Sequence, residues 1–413
     1  MNNLKGRKKR MYLNLSRVKK VICSFFLFFS IGSLLTGCWD SKELNDLSII
    51  VGAALDKHKD NKIELTVQIF SPLASSGQQG SSSGGSGGSQ PQVAVSSAIG
   101  DNFADATFKL QEKLPRKIFW GHCNVFIIGE KLARKRDLQT QIDFINRHPE
   151  PRERAHLYVS DGKAADILAL NSPLEKNIGV VLQKLSQMRL TQDITIKDFE
   201  QMSIGDSGGA VLPIVVKIPQ KKGEKKSESI TYITGTAIFK KYKMISRIND
   251  SASRGLLWVR NQIELPTITA HPIKGKTISL DSIRESTKLI PKIEKGKWSI
   301  TVHIESYGMI VQNGSELDIM NKKVSRRVEK AFEAEIKKGI NQALKQVKDK
   351  KRIDAFGFGD AFHRKYPKEW ERVKNNWESF LPRVNVKTNI KVHIRNTGLT
   401  TTPVDLLDKE VKK

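Results

Sequence analysis

Residues 316–348 read ELDIMNKKVSRRVEKAFEAEIKKGINQALKQVK, from Glu316 to Lys348, and this stretch decides the fold of the C-terminal half. Val324, Val328, Phe332, Ile336, Ile340, Leu344 and Val347 recur every three or four residues, the apolar stripe of one long helix. Lys and Arg crowd the positions between them, so one face is made for burial and the rest for water. Before the stripe, Trp298, Ile300, Val302 and Ile304 alternate with polar residues. After it, Val384, Val386, Thr388, Ile390, Val392 and Ile394 do the same, and a second helix carries Trp370, Val373, Trp377 and Phe380. A period of two is that of a half-buried strand. Helices bracketed by such strands predict an α+β domain over residues 276–413, its long helices packed on one face of a mostly antiparallel sheet.

Toward the N-terminus the pattern changes. Leu47–Leu55 is a continuous apolar run, Ile63, Leu65, Val67 and Ile69 alternate, and Val125–Ile128, Ala155–Val159, Ala210–Ile218 and Ile230–Phe239 read as further strands. Between them, helices are marked by Ile99, Phe103, Ala106 and Leu110, by Leu138, Ile142 and Ile145, and by the stretches Ala164–Leu170 and Ile178–Met188. Interleaved strands and helices predict a mixed α/β region over 38–215, followed by a strand-rich middle region over 216–275. Length alone allows two or three domains. Residues 75–90 are almost wholly Ser, Gly and Gln, which bury nothing and read as a flexible loop inside the first region. Lys221–Glu228 reads as an exposed hairpin tip or linker.

The first 37 residues have a different purpose. Eight Lys and Arg and no acid occupy residues 1–20, and an apolar run follows from Val21 to Leu35, the layout of an export signal. An uncleaved membrane anchor also fits, because Val21–Trp39 carries no charge and is just long enough to span a bilayer. Leu35-Thr36-Gly37-Cys38 favours the cleaved signal, since it resembles the bacterial lipobox, whose cysteine thiol takes a diacylglycerol. On that reading residues 1–37 are removed, and Cys38 becomes the first residue, S-diacylglycerol-modified and N-acylated, holding the chain on the membrane by acyl chains. Of the three cysteines, Cys23 leaves with the signal, Cys38 is blocked and Cys123 stays free, so no disulfide framework exists.

The net charge of +27 divides unevenly. From Cys38 onward 62 Lys and Arg face 43 Asp and Glu, a net +19. Residues 38–216 are nearly neutral, with 20 basic and 21 acidic residues, whereas residues 217–413 carry 42 and 22, a net +20. Such a basic half would suit nucleic acid, but no zinc finger or RNA-recognition motif accompanies it, and export takes it away from nucleic acid. An anionic membrane surface or an acidic partner is the remaining expectation.

Motifs for chemistry are sparse. Gly205-Asp206-Ser207-Gly208-Gly209 reproduces the nucleophile string of chymotrypsin-like proteases, and His122-Cys123 echoes their histidine segment. The intervening chain reads as helices rather than barrel strands, so a Gly-rich turn is the simpler reading. No histidines stand at i, i+4 and no Cys/His cluster exists, which leaves no metal or cofactor site to expect. Gly357-Phe358-Gly359 reads as a helix terminator, not a phosphate cradle. Arg147–Arg154, dense in opposite charges, reads as a salt-bridged connector or a polar-ligand site.

Several segments together resemble a known family, the lipoprotein C subunits of spore nutrient germinant receptors (the Ger(x)C family). They are Gly37-Cys38-Trp39-Asp40, Glu43–Leu47, Pro115-Arg116-Lys117-Ile118 with Gly121-His122, Ile127–Glu130, Asp143–Arg147 and Glu150–Arg154 in the first half. In the second they are Gly235–Phe239, Asp354–Gly359, Pro367–Trp370 and Trp377. The resemblance implies a non-enzymatic subunit of three mixed α/β domains, anchored through Cys38 on the outer face of the spore inner membrane. It implies integral membrane subunits as partners and transfers no catalytic residue; whether this subunit touches nutrient stays open. Two other functions stand beside it: a solute-binding lipoprotein of a transporter, and, resting on Ser207 alone, an exported serine hydrolase.

Overall fold

The structure is a computed structural model that describes residues 46–70, 93–135, 138–170, 175–218, 231–264 and 266–398, together with Ser24. Cys38, the Gly/Ser loop 75–90 and the polar stretch 221–228 lie outside the described residues.

The first sheet is built from β1 (Leu47–Lys57), β2 (Ile63–Phe70), β3 (Val93–Gly100), β4 (Lys117–Phe119), β5 (Val125–Gly129), β6 (His156–Ser160), β7 (Gly209–Lys217), β8 (Thr231–Lys240) and β9 (Lys243–Ile248). Its order is β3-β2-β1-β5-β6-β7-β8-β9, with β4 paired to β1. The centre, β1-β5-β6-β7, is parallel, and antiparallel pairs extend it on both sides. The continuous apolar run of β5 has a direct reason: helices cover both faces. Val125 and Ile127 pack with Ala164, Ile167 and Leu168 of α4 (Ala164–Leu168) and with Ile178 and Leu182 of α5 (Ile178–Gln187). Phe126 and Ile128 point the other way, into the core shared with α1 (Phe103–Gln111), α3 (Gln139–Arg147) and α6 (Ile196–Ile204). α2 (Glu130–Lys135) follows β5, and α7 (Asp250–Arg260) packs on β8. Ile99 departs from the expectation of a helix. It lies in β3, paired with Glu64 of β2, and α1 starts only after Asn102, whose side chain accepts the Asp105 N–H.

The second sheet has the order β10-β11-β12-β13: β10 (Thr267–Ile273), β11 (Lys276–Glu294), β12 (Lys297–Asn313) and β13 (Asn385–Asn396). β10, β11 and β12 are antiparallel, while β13 runs parallel to β12. β11 and β12 form a long hairpin whose two turn residues, Lys295 and Gly296, both have positive φ, the twist that suits a tight hairpin. The apolar spacing of β11 does not reveal a strand, because Pro291 and charged residues interrupt it; Pro291 is buried opposite Ile300. Of the residues expected as a middle region, β8 and β9 lie in the first sheet and β10 in the second.

α8 (Lys322–Ala343) covers one face of this sheet and continues as a π-helical turn over Leu344–Asp349. It starts at Lys322, not at Glu316, because Asn321 caps it by accepting the N–H groups of Lys323 and Val324. Leu317 and Ile319 are buried ahead of the cap, in a turn fixed by Asn313 and Ser315. α8 also guards the sheet edge. The N–H groups of Val392 and Ile394 in β13 donate to Glu333 and Glu329, and Arg326 pairs with both carboxylates. Where it is occupied in this way, at Val392 and Ile394, the edge does not offer itself to another strand. The two halves meet where α7 crosses α8: a methyl group on Gly255 would stand 2.1 Å from the carbonyl oxygen of Gly339. Only a glycine permits that approach.

The rest of the C-terminal half comprises α9 (Phe358–Lys365), α10 (Pro367–Val373) and α11 (Trp377–Phe380). The helix expected over Trp370–Phe380 is broken by a 3-10 turn at Lys374–Asn376, and Gly357 begins a helix rather than ending one.

Candidate functional site

The glycine-rich segments Gly205–Gly209 and Gly357–Gly359, far apart in sequence, meet at the joint between the two sheets. Asp354 organises the meeting. Its carboxylate is 2% exposed and accepts the N–H groups of Phe356 and Phe358 on Oδ1, and those of Gly359 and the Trp377 indole on Oδ2, at 2.6–3.2 Å. It therefore supplies the acceptor that the first turn of α9 lacks and ties that turn to α11. Gly357 takes φ +79°, the turn into the helix, and a methyl on Gly359 would stand 2.8 Å from the Trp370 ring. Burial pushes the Asp354 carboxyl above the usual range, against the pull of its hydrogen bonds. Around it Trp298, Phe362, Trp370, Trp377 and Phe380 form one aromatic cluster, with ring centroids 4.6–6.2 Å apart.

The other segment rests on this base. Gly208 bridges Asp354 in a short parallel pairing, and a methyl on Gly209 would stand 2.5 Å from the Asp354 carbonyl oxygen. Asp206 pairs with His363 of α9. Among the described residues no hydrogen bond joins Ser207 to a histidine, and His122 is exposed beside Phe119. The relay that a serine nucleophile requires is thus not assembled here. Gly205–Gly209 is a turn built for close approach.

Between these segments, α6 and the end of α7 lies a cleft of about 540 Å³, lined among others by Asp198, Met202, Ser207, Arg260, Asp360 and Arg364. Arg260 donates to the Ala355 carbonyl at 2.9 Å, to Gln262 at 2.7 Å and to the Met202 thioether at 3.0 Å. Burial lowers its pKa, and the carboxylates of Asp354, Asp360 and Asp198 oppose that shift. Arg260 and Asp360 belong to no motif; the one hint in the sequence is a cation at the end of the apolar run Leu256–Val259, where a helix C-terminus favours it.

The Arg147–Arg154 run is tied to its surroundings through the backbone at two points, and among the described residues its one ion pair is Arg147 with Asp143. Glu150 accepts the N–H of Trp120 at 3.0 Å and so fixes the Pro115–His122 segment, while the Glu153 carbonyl accepts the N–H of Lys197. Arg147 pairs with Asp143 one turn back in α3, and Arg152 and Arg154 are exposed. Trp120 is buried, stacked on Phe126 and edge-on to Phe103. Cys123 is fully buried, which pushes its thiol far above the usual range and leaves it inert.

These joined segments run through the whole described chain, and comparison with known proteins follows the same extent. Residues 40–217 match the spore germination protein N-terminal domain, and residues 234–398 match the spore germination B3/GerAC-like C-terminal region. The chain belongs to the GerAC-like family of spore germination proteins. It is 31% identical over 404 residues to spore germination protein KC of Bacillus subtilis (strain 168), spanning 94% of this chain and 98% of that one. Spore germination protein B3 of the same organism is 24% identical over 390 residues, spanning 92% and 99%. The fold is similar to the crystal structure of the GerBC protein, with a TM-score of 0.56 and 21% identity over 86% of this chain and all of that one. The resemblance read from Asp354–Gly359, Trp370 and Trp377 thus has a physical content: these residues build the joint.

Proposed function

We propose that this chain is the non-enzymatic, lipid-anchored C-type subunit of a nutrient germinant receptor, acting with integral membrane subunits to trigger spore germination. The observation that carries this reading is the end-to-end match to spore germination protein KC, which leaves neither protein a large unmatched part. Its mature chain would begin at Cys38 after loss of residues 1–37, and the acyl chains on Cys38 would hold it on the outer face of the spore inner membrane. No helix of the described residues is long and apolar enough to cross a membrane; Val21–Trp39, apart from Ser24, lies outside them, and the lipobox-like Leu35–Cys38 is what favours an anchor at Cys38. The three-domain division at 215 and 275 belongs to the same proposal.

The anchor has a direct test. Cys38→Ala is expected to abolish incorporation of labelled fatty acid and to move the chain out of the washed membrane fraction. Lipidation and membrane retention both unchanged would remove the anchor from the account. One observation favours a second reading, direct capture of a solute: the Arg260 cleft between the halves is large enough for a small polar molecule. Tight binding of a single nutrient to the purified chain, lost in Arg260→Gln, would favour it.

A further inference from the structure

Among the described residues, helices cover the second sheet on one face only. Trp298, Ile300, Val302 and Ile304 of β12 are buried toward the helices, while Ser299, Thr301, His303, Glu305 and Tyr307 alternate with them on the opposite face and stay partly exposed. The register of the sheet places two rows of cations beside these residues. Arg284, Lys288 and Lys292 lie on β11, and Lys387, Lys391 and Arg395 lie on β13. Within each row the residues are four apart, about 13 Å, and the rows flank β12 about 10 Å from one another. All six are exposed. Among the described residues Arg284, Lys288, Lys387 and Lys391 have no ion-pair partner; Lys292 pairs with Glu294. Glu305 stands opposite Lys391 in the register, but cations still outnumber acids along these rows, and such an excess of like charge is costly to hold on one face.

The floor between the rows has its own structure. The Arg395 guanidinium lies over the Tyr307 ring at 4.7 Å, and the His393 ring stacks on the same tyrosine at 4.9 Å. Next to them a hollow of about 350 Å³ is bounded by Ile283, Arg284, Ser286, Glu305, Tyr307 and Arg395. Ile283 is 56% exposed at its rim, and Ile290 is 45% exposed farther along β11, opposite Thr301. Arginine, tyrosine and exposed aliphatic groups around a recess have the composition of a protein interface.

We propose that the uncovered face of the second sheet docks an acidic segment of a partner protein, which lies between the two cationic rows and fills the hollow at Tyr307. Glu305, which accepts from His303 and the Tyr307 hydroxyl, argues for a protein over a bilayer: anionic headgroups would meet its carboxylate at the centre of the floor, whereas a protein segment can set a neutral group there and carboxylates against Arg284 and Arg395. A second copy of this chain would bring cations against cations. Docking by strand addition is blocked at Val392 and Ile394 of β13, because Glu333 and Glu329 already hold those two N–H groups. The inference rests on the receptor reading for the identity of the partner, one of the integral membrane subunits.

The test is recovery of those subunits with the tagged full chain from detergent-solubilised spore membranes. At low salt the wild-type chain retains them, and recovery falls as salt rises. Arg284→Glu with Lys391→Glu is expected to cut recovery tenfold or more, as is the separate pair Lys387→Glu with Arg395→Glu. Arg284→Lys with Lys391→Arg is expected to leave it unchanged, and unaltered melting temperatures would show that all three variants fold. Full recovery with both reversed pairs would overturn the docking surface and leave the receptor reading standing. Recovery of no membrane subunit by the wild-type chain would overturn the receptor reading and this proposal with it. Reversed pairs that keep the subunits but lose binding to phosphatidylglycerol vesicles would make the face a lipid contact, and the proposal would fail.

Discussion

The two sheets of this protein handle the same problem, a strand with two faces, in opposite ways. The first is buried on both sides at its centre: β5 and β6 are buried along their full length, with Phe126 toward one layer of helices and Ile127 toward the other. Among the described residues the second buries only the face under α8 and α9, and its other face is partly exposed and lined with Lys and Arg. The near-neutral half of the chain is thus mostly interior scaffold, and the basic half presents a surface. A sheet that has been given helices for one face only is a natural place for a partner to complete it.

That contrast depends on the joint holding both sheets in one unit, and breaking the joint should have the largest effect. Asp354→Ala leaves the N–H groups of Phe356, Phe358, Gly359 and the Trp377 indole without their acceptor. The expected loss is about 3–4 kcal/mol of unfolding free energy, read from denaturant titration. A loss within about 0.5 kcal/mol would mean that the two segments do not depend on this carboxylate.

A smaller effect sharpens the description of the covered sheet. Asp56 in β1 accepts the N–H groups of Ala164 and Ala165 at the start of α4, and burial nonetheless raises its pKa above the usual carboxylate value. The sign follows from proton uptake: the folded chain binds this proton more readily than the unfolded one. Its contribution is therefore fully present below the unfolded pKa and is lost as pH rises through the folded value. The stability difference between wild type and Asp56→Asn should accordingly shift in favour of the variant as pH rises through that window, in melts compared at several pH values. A pH-independent difference would show that Asp56 titrates in the folded chain as it does in the unfolded one.

Much of this fold is legible in the sequence where one force dominates. The stripe from Val324 to Val347 and the alternation in β12 and β13 follow from burial of a single face, and the continuous run Val125–Ile128 from burial of two; β2 alternates as well, but its polar Thr66 and Gln68 are buried too, so it is not the half-buried strand its spacing predicts. β11 is not legible, because its partners on both sides, and not its own apolar spacing, make it a strand around Pro291. The Gly357 region misleads for a local reason: a glycine with positive φ suits the end of a helix, and here Asp354 uses it to start one. The joint itself is invisible to spacing. Gly209 and Asp354 touch only because β7 and the chain before α9 are brought side by side, and Arg260 carries no motif at all. The lipobox at Cys38 is read from sequence alone.

The measurement that bears most directly on the account is nutrient-triggered germination of spores lacking this chain, scored nutrient by nutrient. The account predicts loss of the response to at least one nutrient class, restored by the wild-type chain and not by Cys38→Ala, with germination by non-nutrient triggers intact. Unchanged responses to every nutrient, in spores that also lack the related C-type subunits, would contradict it.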